Sequence, residues 1–294
     1  MEAAMALLTG VALFLFGVGL MGEELGGVGE RMARVFRSGR RGFWLGLLTT
    51  AALQSSSAVT VLLASLGRPL AESFPVIMGA NVGTTVTAWL QWLNLTAPSL
   101  AGVRTALLLG TTMLYLFRRI RWPVGFCLLL TGMDLMASAA APLGESSAFQ
   151  TLLSAAADPL TALLIGAVTT AVLQSSGAAI GILQGLCAAG QVPVTAVVPL
   201  LLGQNIGTCA TALLASLPGT KEARAVALAH LGFNCVGTAA LLPLWLLVTP
   251  PPAVATPLGV AMVHTSFNLA TCALFWALRA AVRLLRRQGT PVRQ

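Results

Sequence analysis

The stretch Thr49-Thr-Ala-Ala-Leu-Gln-Ser-Ser-Ser-Ala58 decides how this chain is built, because it occurs twice. Thr169-Thr-Ala-Val-Leu-Gln-Ser-Ser-Gly-Ala178 repeats it 120 residues later, with eight of ten positions identical. A second matching pair follows, Gly79-Ala-Asn-Val-Gly-Thr84 and Gly203-Gln-Asn-Ile-Gly-Thr208, at a shift of 124 residues. Self-similarity of this kind indicates two homologous halves.

The halves have definite bounds in the sequence. We predict repeat 1 at residues 1–121 and repeat 2 at 122–249, followed by a final helix and a basic tail at 250–294. The first apolar run carries Glu2 and no basic residue, which is not typical of a signal peptide. We therefore expect it to be retained as the first helix.

The composition excludes a soluble core. Hydrophobic residues make up 56% of the chain and charged residues 9%, whereas an ordinary soluble domain has roughly 25% charged residues. Runs at 3–21, 100–117 and 124–143 reach the ~20 apolar residues that a helix needs to cross a bilayer. Helices satisfy their own backbone groups in lipid, so we predict an all-α polytopic membrane protein.

Neither cysteine chemistry nor nucleic-acid binding is indicated. The five cysteines are scattered in apolar segments without a C-x-x-C pair, which argues against a disulfide framework or a metal site. The formal charge of +8 comes mainly from arginines that flank apolar runs, as topology signals do. We expect the lipid bilayer, and no nucleic acid, as the partner of these charges.

The Gln-Ser-Ser segments are too short to cross a bilayer twice, so each is either a re-entrant hairpin or a single crossing. The distribution of basic residues distinguishes these two topologies. If both segments are re-entrant hairpins, at about 42–66 and 159–189, all of the 17 lysines and arginines except Arg104 lie on one side. If each crosses once, the basic cluster at 118–121 moves to the opposite side. We therefore predict that both segments are re-entrant hairpins. The protein is expected in the inner cell membrane, with its N-terminus outside and its C-terminus in the cytoplasm.

In this topology the two hairpins enter from opposite sides, so the repeats are inverted. Inverted repeats with discontinuous helices are typical of secondary transporters, whose site lies at the repeat interface near the bilayer midplane. The predicted mechanism is alternating access.

The hairpin tips suit an anion, because the start of each second half-helix presents backbone N–H groups and serine hydroxyls. With no Lys or Arg near either tip, sodium ions would compensate the charge. Suitable oxygen ligands for sodium are Gln54, Gln174, Asn81, Asn205, Thr84 and Thr208. The alternative is that these small polar residues only allow close helix packing.

Three further polar features lie in apolar segments. His230-Leu-Gly-Phe-Asn234 and His264-Thr-Ser-Phe-Asn268 match each other, and the i, i+4 spacing of His230/Asn234 and His264/Asn268 puts each pair on one helix face. They are either functional or satisfied contacts between helices. Asp134 lies in the middle of an apolar run, where an acidic residue is a candidate for ion coupling or a structural polar contact.

At these motifs the chain resembles the type II sodium–phosphate cotransporter family, from about Leu13 to about Phe275. The resemblance implies phosphate as substrate, sodium as coupling ion and no other cofactor. The substrate-binding residues predicted from the tips and the repeated segment are Gln54, Ser55, Ser56, Ser57, Gln174, Ser175, Ser176, Asn81 and Thr84. The residues that resemble a sodium-binding stretch are Gln204, Asn205, Thr208 and Thr211.

The chain also departs from the family pattern. Gly177 stands where the second tip often has a third serine, and Gln204 replaces a small residue. Many bacterial relatives carry a PhoU-like regulatory domain after the last span, whereas here an Arg-rich tail runs to Gln294, so we expect no regulation through such a domain in cis.

Several alternatives stay open. The same fold suits sodium-coupled transport of another anion, such as sulfate or a carboxylate. A phosphate-binding membrane sensor that acts through a separate protein is a second alternative. An enzyme is disfavoured, because neither histidine has a plausible nucleophile beside it in sequence. A homodimer and a separate regulatory protein are the remaining candidate partners.

Overall fold

The computed structural model describes residues 2–24, 39–97, 107, 111 and 121–288, with the backbone alone for 24 and 283–288. These residues form helices and turns, and no strand occurs among them, which confirms the predicted all-α fold. The α-helices are α1 Glu2–Glu24, α2 Arg40–Leu53, α3 Ser56–Ser65, α4 Leu70–Thr96, α5 Trp122–Gly144, α6 Ser147–Ala155, α7 Pro159–Leu173, α8 Ser176–Ala188, α9 Val194–Gly207, α10 Cys209–Ser216, α11 Lys221–Leu246 and α12 Pro257–Gln288. A short 3-10 helix, Pro252–Ala255, precedes α12.

Parts of the topology prediction lie outside the described residues. They include the predicted span at 100–117 and the following arginines: Arg31, Arg34, Arg37, Arg104, Arg118, Arg119 and Arg293. The side chains of Arg283, Arg286 and Arg287 are also outside the description.

Helix length and composition identify a multi-pass membrane protein. Within the described ranges, five segments are long and apolar enough to span a bilayer: Glu2–Glu23, Trp122–Gly144, Val194–Ser216, Lys221–Leu246 and Pro257–Val282. Ser56–Ser65, Pro159–Leu173 and Ser176–Ala188 are apolar but shorter. At 1.5 Å per residue they measure about 15–22 Å, less than the ~30 Å hydrocarbon core. These short helices cannot cross the bilayer alone.

The first helices of the two predicted repeats pack against each other through glycines. Gly10 lies against Gly132, and Gly17 lies against Gly125. Because residue numbers rise along α1 as they fall along α5, the two helices run antiparallel. Glycine at each contact lets the two backbones approach closely, as is common between membrane helices.

Each predicted repeat then builds the same helix crossing from equivalent glycines. These are Gly46, Gly79 and Gly83 between α2 and α4, and Gly166, Gly203 and Gly207 between α7 and α9. A Cβ atom on Gly79 would collide with the carbonyl oxygen of Phe43, and one on Gly203 with that of Leu163. The two crossings are related by the sequence shifts of the repeats.

The helix α3 folds back after α2. The glycine contacts rise in the same order along α2 and α4, so these two helices run parallel. The Gln54 side chain, at the end of α2, is level with Thr87, to which it is hydrogen-bonded. The start of α4 lies about 26 Å from Thr87 along the axis of that helix. Only residues 66–69 join the end of α3 to this start, so the end of α3 must lie near it. α3 must therefore return, and α2 with α3 covers residues 40–65, close to the predicted hairpin.

The last helix runs antiparallel to α4. The ring of Phe275 lies 5.1 Å from that of Phe74, near the start of α4. The indole N–H of Trp89, nearer the end of α4, donates to the Thr265 hydroxyl at 2.9 Å. In its second half, α12 therefore passes the start of α4 and continues beyond it.

The helix α11 in turn runs antiparallel to α12. The rings of Phe233 and Phe275 stack at 5.4 Å, and Gly237 faces Thr271. The starts of α4 and α11 and the end of α12 thus lie at one end of the bundle, called the basic end here. The start of α2, which runs parallel to α4, lies there too. The described cations of this end are Arg40, Arg41, Arg68, Lys221, Arg224 and Arg279.

The glycine crossings give a stability prediction. Gly79→Ala should lower the thermal unfolding midpoint in detergent, because overpacking at the Phe43 carbonyl costs about 1–3 kcal/mol. Gly232→Ala is the matched control, since a Cβ there meets nothing within 4 Å in the middle of α11. An equal midpoint for the two variants would show that the crossing can separate at no cost.

Candidate functional site

The break between the two short helices has the same unusual backbone in both halves. Gln54 has φ 54° and ψ 27°, and Gln174 has φ 52° and ψ 22°. They are the only non-glycine residues with positive φ among the described residues. This left-handed conformation costs roughly 1–2 kcal/mol per residue, and strained residues of this kind cluster at functional sites.

The residue after each glutamine caps the next helix. Ser55 and Ser175 are extended, and each hydroxyl oxygen accepts a hydrogen bond at 3.2 Å from the backbone N–H three residues on. Such a cap satisfies one of the four N–H groups at a helix start. The remaining groups and the helix dipole make the start of α3 and of α8 a favourable place for an anion. We call the segments 54–57 and 174–177 tip 1 and tip 2.

The two tips differ in exposure. Gln54 is buried, its side-chain amide donates to the Ala51 carbonyl at 2.6 Å, and its oxygen accepts from the Thr87 hydroxyl at 2.8 Å. Gln174 is exposed. Ser55 and Ser175 are half-buried. The other tip serines are buried: Ser56, Ser57 and Ser176.

The tips meet at Thr87. Its hydroxyl bonds to tip 1, and its methyl carbon lies 3.1 Å from where a Cβ on Gly177 of tip 2 would stand. Phe14 of α1 fills the rest of that space, with its Cζ 2.6 Å from the same position. On the other side, the Ser57 hydroxyl donates to the Thr208 carbonyl at 3.4 Å. Tip 1 therefore contacts the repeated Gly-x-Asn segment of the other half, and tip 2 contacts the other half at Thr87, three residues beyond the equivalent segment in the same helix.

The helices leave the two tips in opposite directions. α3 returns to the start of α4, at the basic end. The Gln184 amide in α8 donates to the carbonyls of Ala88 at 3.0 Å and Pro257 at 2.7 Å. Pro257 begins α12, whose other end carries Arg279, so α8 runs away from the basic end.

The asparagines of the repeated segments bind the histidines of the matching motifs. Asn81 Oδ1 is 3.4 Å from His230 Nε2, and Asn205 Oδ1 is 3.2 Å from His264 Nε2. All four side chains are buried. The structure thus joins the Gly-x-Asn and His-x-x-Phe-Asn motifs, and it does so in both halves.

The second asparagine of each motif stays close to its own helix. Asn234 and Asn268 donate to the carbonyls of His230 at 3.3 Å and His264 at 2.9 Å. Asn234 also lies 3.2 Å from the Cys209 sulfur. Both asparagines are buried.

The predicted sodium residues of repeat 2 lie at the start of α10 and the end of α9. The spacing of Gln204, Thr208 and Thr211 places them on one helix face. The Gln204 amide donates to the Ala179 carbonyl of α8 at 3.1 Å. Its oxygen and the Thr211 hydroxyl are buried and have no hydrogen-bond partner among the described residues. Thr208 and the corresponding threonine of repeat 1, Thr84, each donate to a carbonyl of their own helix, at 2.9 and 3.0 Å.

Asp134 contacts α4 near the end of that helix. It is half-buried and accepts a hydrogen bond from Asn94 of α4 at 2.6 Å. This contact links the first helix of repeat 2 to the Gly-x-Asn helix of repeat 1. A role in ion coupling stays a prediction.

The sequence analysis did not predict two residues that contact the tips. Thr87 and Phe14 carry no motif of their own. Thr87 had a signal, because it corresponds to Thr211 at the 124-residue shift, three positions beyond the repeated segment. Phe14 had none, since it comes from a separate helix.

Comparison with known proteins identifies the family. The Na+/Pi-cotransporter family matches residues 13–138 and 128–287. The Bacillus subtilis protein YqeW is 31% identical over 282 residues, 88% of each chain. Escherichia coli YjbB, named for inorganic phosphate export, is 30% identical over 90% of this chain and 52% of its own. Human sodium-dependent phosphate transport protein 2C is 38% identical over 42% of this chain and 19% of its own.

No solved structure matches the chain. The chain spans about half the length of the Escherichia coli relative. The helices, the membrane spans and these matches define an integral membrane transporter. The chain belongs to the Na+/Pi-cotransporter family, whose members are transporters and not enzymes.

The tips give a first functional prediction. Ser56→Ala and Ser176→Ala should each abolish phosphate uptake into proteoliposomes, because each removes a buried hydroxyl from the start of a tip helix. Ser138→Ala is a matched control, since that exposed hydroxyl bonds to its own helix in α5. Unchanged uptake in either tip variant, with normal membrane insertion, would place the substrate elsewhere.

Proposed function

We propose that this chain carries inorganic phosphate across the membrane, driven by sodium and working by alternating access. The observation that carries the proposal is the meeting of two equivalent tips at Thr87, from opposite ends of the bundle. Discontinuous helices that meet in this way form the substrate site in many secondary transporters. Family membership supports phosphate as the substrate.

Phosphate would be held between the tips by neutral donors. Hydroxyls and first-turn N–H groups of α3 and α8 suit the oxygens of a tetrahedral anion. None of the described Lys and Arg side chains is buried, so the described part of the site offers no fixed positive charge. A cation bound with phosphate would supply the missing charge.

Sodium fits the oxygens near Thr208. The unpartnered Gln204 and Thr211 oxygens are neutral and hard, which is the ligand type that hard cations prefer. Burying an oxygen without a partner costs about 1–3 kcal/mol, and a bound ion would remove that cost. The Ser57–Thr208 contact puts tip 1 against the same segment, so sodium and phosphate would be coupled through neighbouring residues.

The unequal tips support alternating access. In this state Gln54 is fixed by Thr87, while Gln174 is exposed and the equivalent Thr211 hydroxyl has no partner in the described part of the chain. In the opposite state the two halves would exchange roles, as inverted repeats allow. The antiparallel pairing of α1 with α5 is the relation that inverted repeats require.

The charges support an orientation. Cytoplasmic ends of membrane proteins are rich in Lys and Arg, so the basic end would face the cytoplasm of the inner cell membrane. The C-terminus would then be cytoplasmic and the N-terminus outside. The direction of net transport would follow the gradients, and the name of the Escherichia coli relative favours an assay of export as well as import.

The proposal predicts sodium-dependent movement of labelled phosphate in proteoliposomes that contain only this protein. An inward sodium gradient should drive uptake, and an equal potassium gradient should not. Vesicles loaded with phosphate should release it when the sodium gradient is reversed. Uptake without sodium, or competition by sulfate as strong as by phosphate, would contradict the proposal, as would binding without transport.

The sodium ligands give a separate prediction. Thr211→Val removes a buried oxygen at nearly constant volume, so the sodium concentration for half-maximal uptake should rise about tenfold, since tenfold is 1.4 kcal/mol. Thr131→Val is the control, because the half-buried Thr131 hydroxyl bonds to its own helix at 2.9 Å. A normal sodium response in Thr211→Val would exclude this oxygen as a ligand.

A further inference from the structure

The two asparagines of the Gly-x-Asn segments have the same fixed orientation. Asn81 Nδ2 donates to the Ile77 carbonyl at 2.9 Å, and Asn205 Nδ2 donates to the Leu201 carbonyl at 2.8 Å. A carbonyl oxygen only accepts hydrogen bonds, so the amide nitrogen must face it. In each residue Oδ1 therefore points away from its own helix.

Both Oδ1 atoms face a histidine. Because Oδ1 only accepts, His230 and His264 must donate from Nε2, at 3.4 and 3.2 Å. Asn268 Nδ2 lies 3.5 Å from Asn205 Oδ1 and adds a second donor there. An amide oxygen has two lone pairs, so Oδ1 of Asn205 already has two donors from the protein.

Helix geometry explains why the asparagine stands between two glycines. Residues two apart are separated by about 200° around a helix. Asn81 is therefore opposite Gly79 and Gly83, which hold the tip-bearing helix α2. Asn205 has the same relation to its flanking glycines and to α7. One face of each helix carries a tip hairpin, and the opposite face is bonded to a histidine of α11 or α12.

We propose that Asn81 and Asn205 are positioning residues, and that each His–Asn pair is a joint that fixes a tip hairpin relative to α11 or α12. The inference rests on the proposed function, since it concerns the same site. It replaces the predicted role of Asn81 and Asn205 as ligands of phosphate or sodium. The ligands then come from the tips and from Gln204, Thr208 and Thr211.

The two joints differ at the second imidazole nitrogen. His230 Nδ1 is 3.5 Å from the Thr60 hydroxyl of α3. His264 Nδ1 is buried without a hydrogen-bond partner in the described part of the chain. Only Nε2 of His264 takes part in the hydrogen bond to Asn205. Another residue with a donor at the position of Nε2 should therefore be able to replace His264.

Substitution of His264 by glutamine or by asparagine distinguishes the roles of its two ring nitrogens. The terminal amide nitrogen of glutamine reaches about as far as Nε2, whereas that of asparagine reaches only about as far as Nδ1. His264→Gln should keep the joint, and His264→Asn should break it. The two variants differ by one methylene group and carry the same chemical groups.

The experiment compares these variants with the wild type in proteoliposomes and in thermal unfolding. We expect His264→Gln to transport at close to the wild-type rate. His264→Asn should lose about tenfold or more of the maximal rate, because a buried acceptor is left unsatisfied. Its sodium half-saturation and phosphate KM should change little, since no ligand has been removed. Its unfolding midpoint should be below that of His264→Gln.

A double variant tests the role of Asn205 directly. If Asn205 acts only in the joint, the double variant Asn205→Ala/His264→Asn should reach half-saturation at the same sodium concentration as His264→Asn alone. A further rise would make Asn205 a sodium ligand and overturn the proposal. The proposal would also be overturned if His264→Gln and His264→Asn were equally active. It would be overturned as well if both variants lost activity or folding to the same extent. If the wild type transports nothing, the proposed function fails, while the unfolding comparison still tests the joint.

Discussion

The structure depends on backbone-to-backbone contact at the glycine crossings. Lipid tails are as apolar as leucine side chains, so membrane helices gain little from burying apolar surface against each other. Here Gly79 and Gly203 bring a carbonyl of the tip-bearing helix against the Gly-x-Asn helix. That close approach fixes the height of each tip, and the height places Gln54 beside Thr87. The arrangement of the tips therefore follows from a steric condition at two glycines that lie outside the tips.

The Gly-x-Asn helices have three faces with separate tasks. Glycines hold the tip hairpin of the same half, Thr87 and Thr208 contact the tip of the other half, and asparagines bond to the histidines. Such a division is possible because positions around a helix are 100° apart per residue: Asn81 lies about 200° and Thr87 about 80° from Gly79. A substitution at any of these positions would therefore affect one of the three contacts.

The sequence analysis was accurate where information is local or repeated. The all-α fold followed from composition, and the helix breaks coincide with the repeated Gln-Ser-Ser motifs. The partners of buried polar residues were not predictable, because they depend on how helices cross. Asp134 and Asn94 are 40 residues apart, and His230 and Asn81 are 149 apart. Hydrophobic pattern gives the face of a helix but not the neighbour that the face meets.

Phe14 and Gly177 have a consequence for how this site could diverge. Tip 2 lacks the third hydroxyl of tip 1, and the ring of Phe14 fills the space where a side chain would extend. A serine at 177 would need a smaller residue at 14, and a smaller residue at 14 alone would leave a void beside tip 2. Each single step passes through a less well-packed protein, so the two positions, 163 residues apart in the chain, are expected to change together.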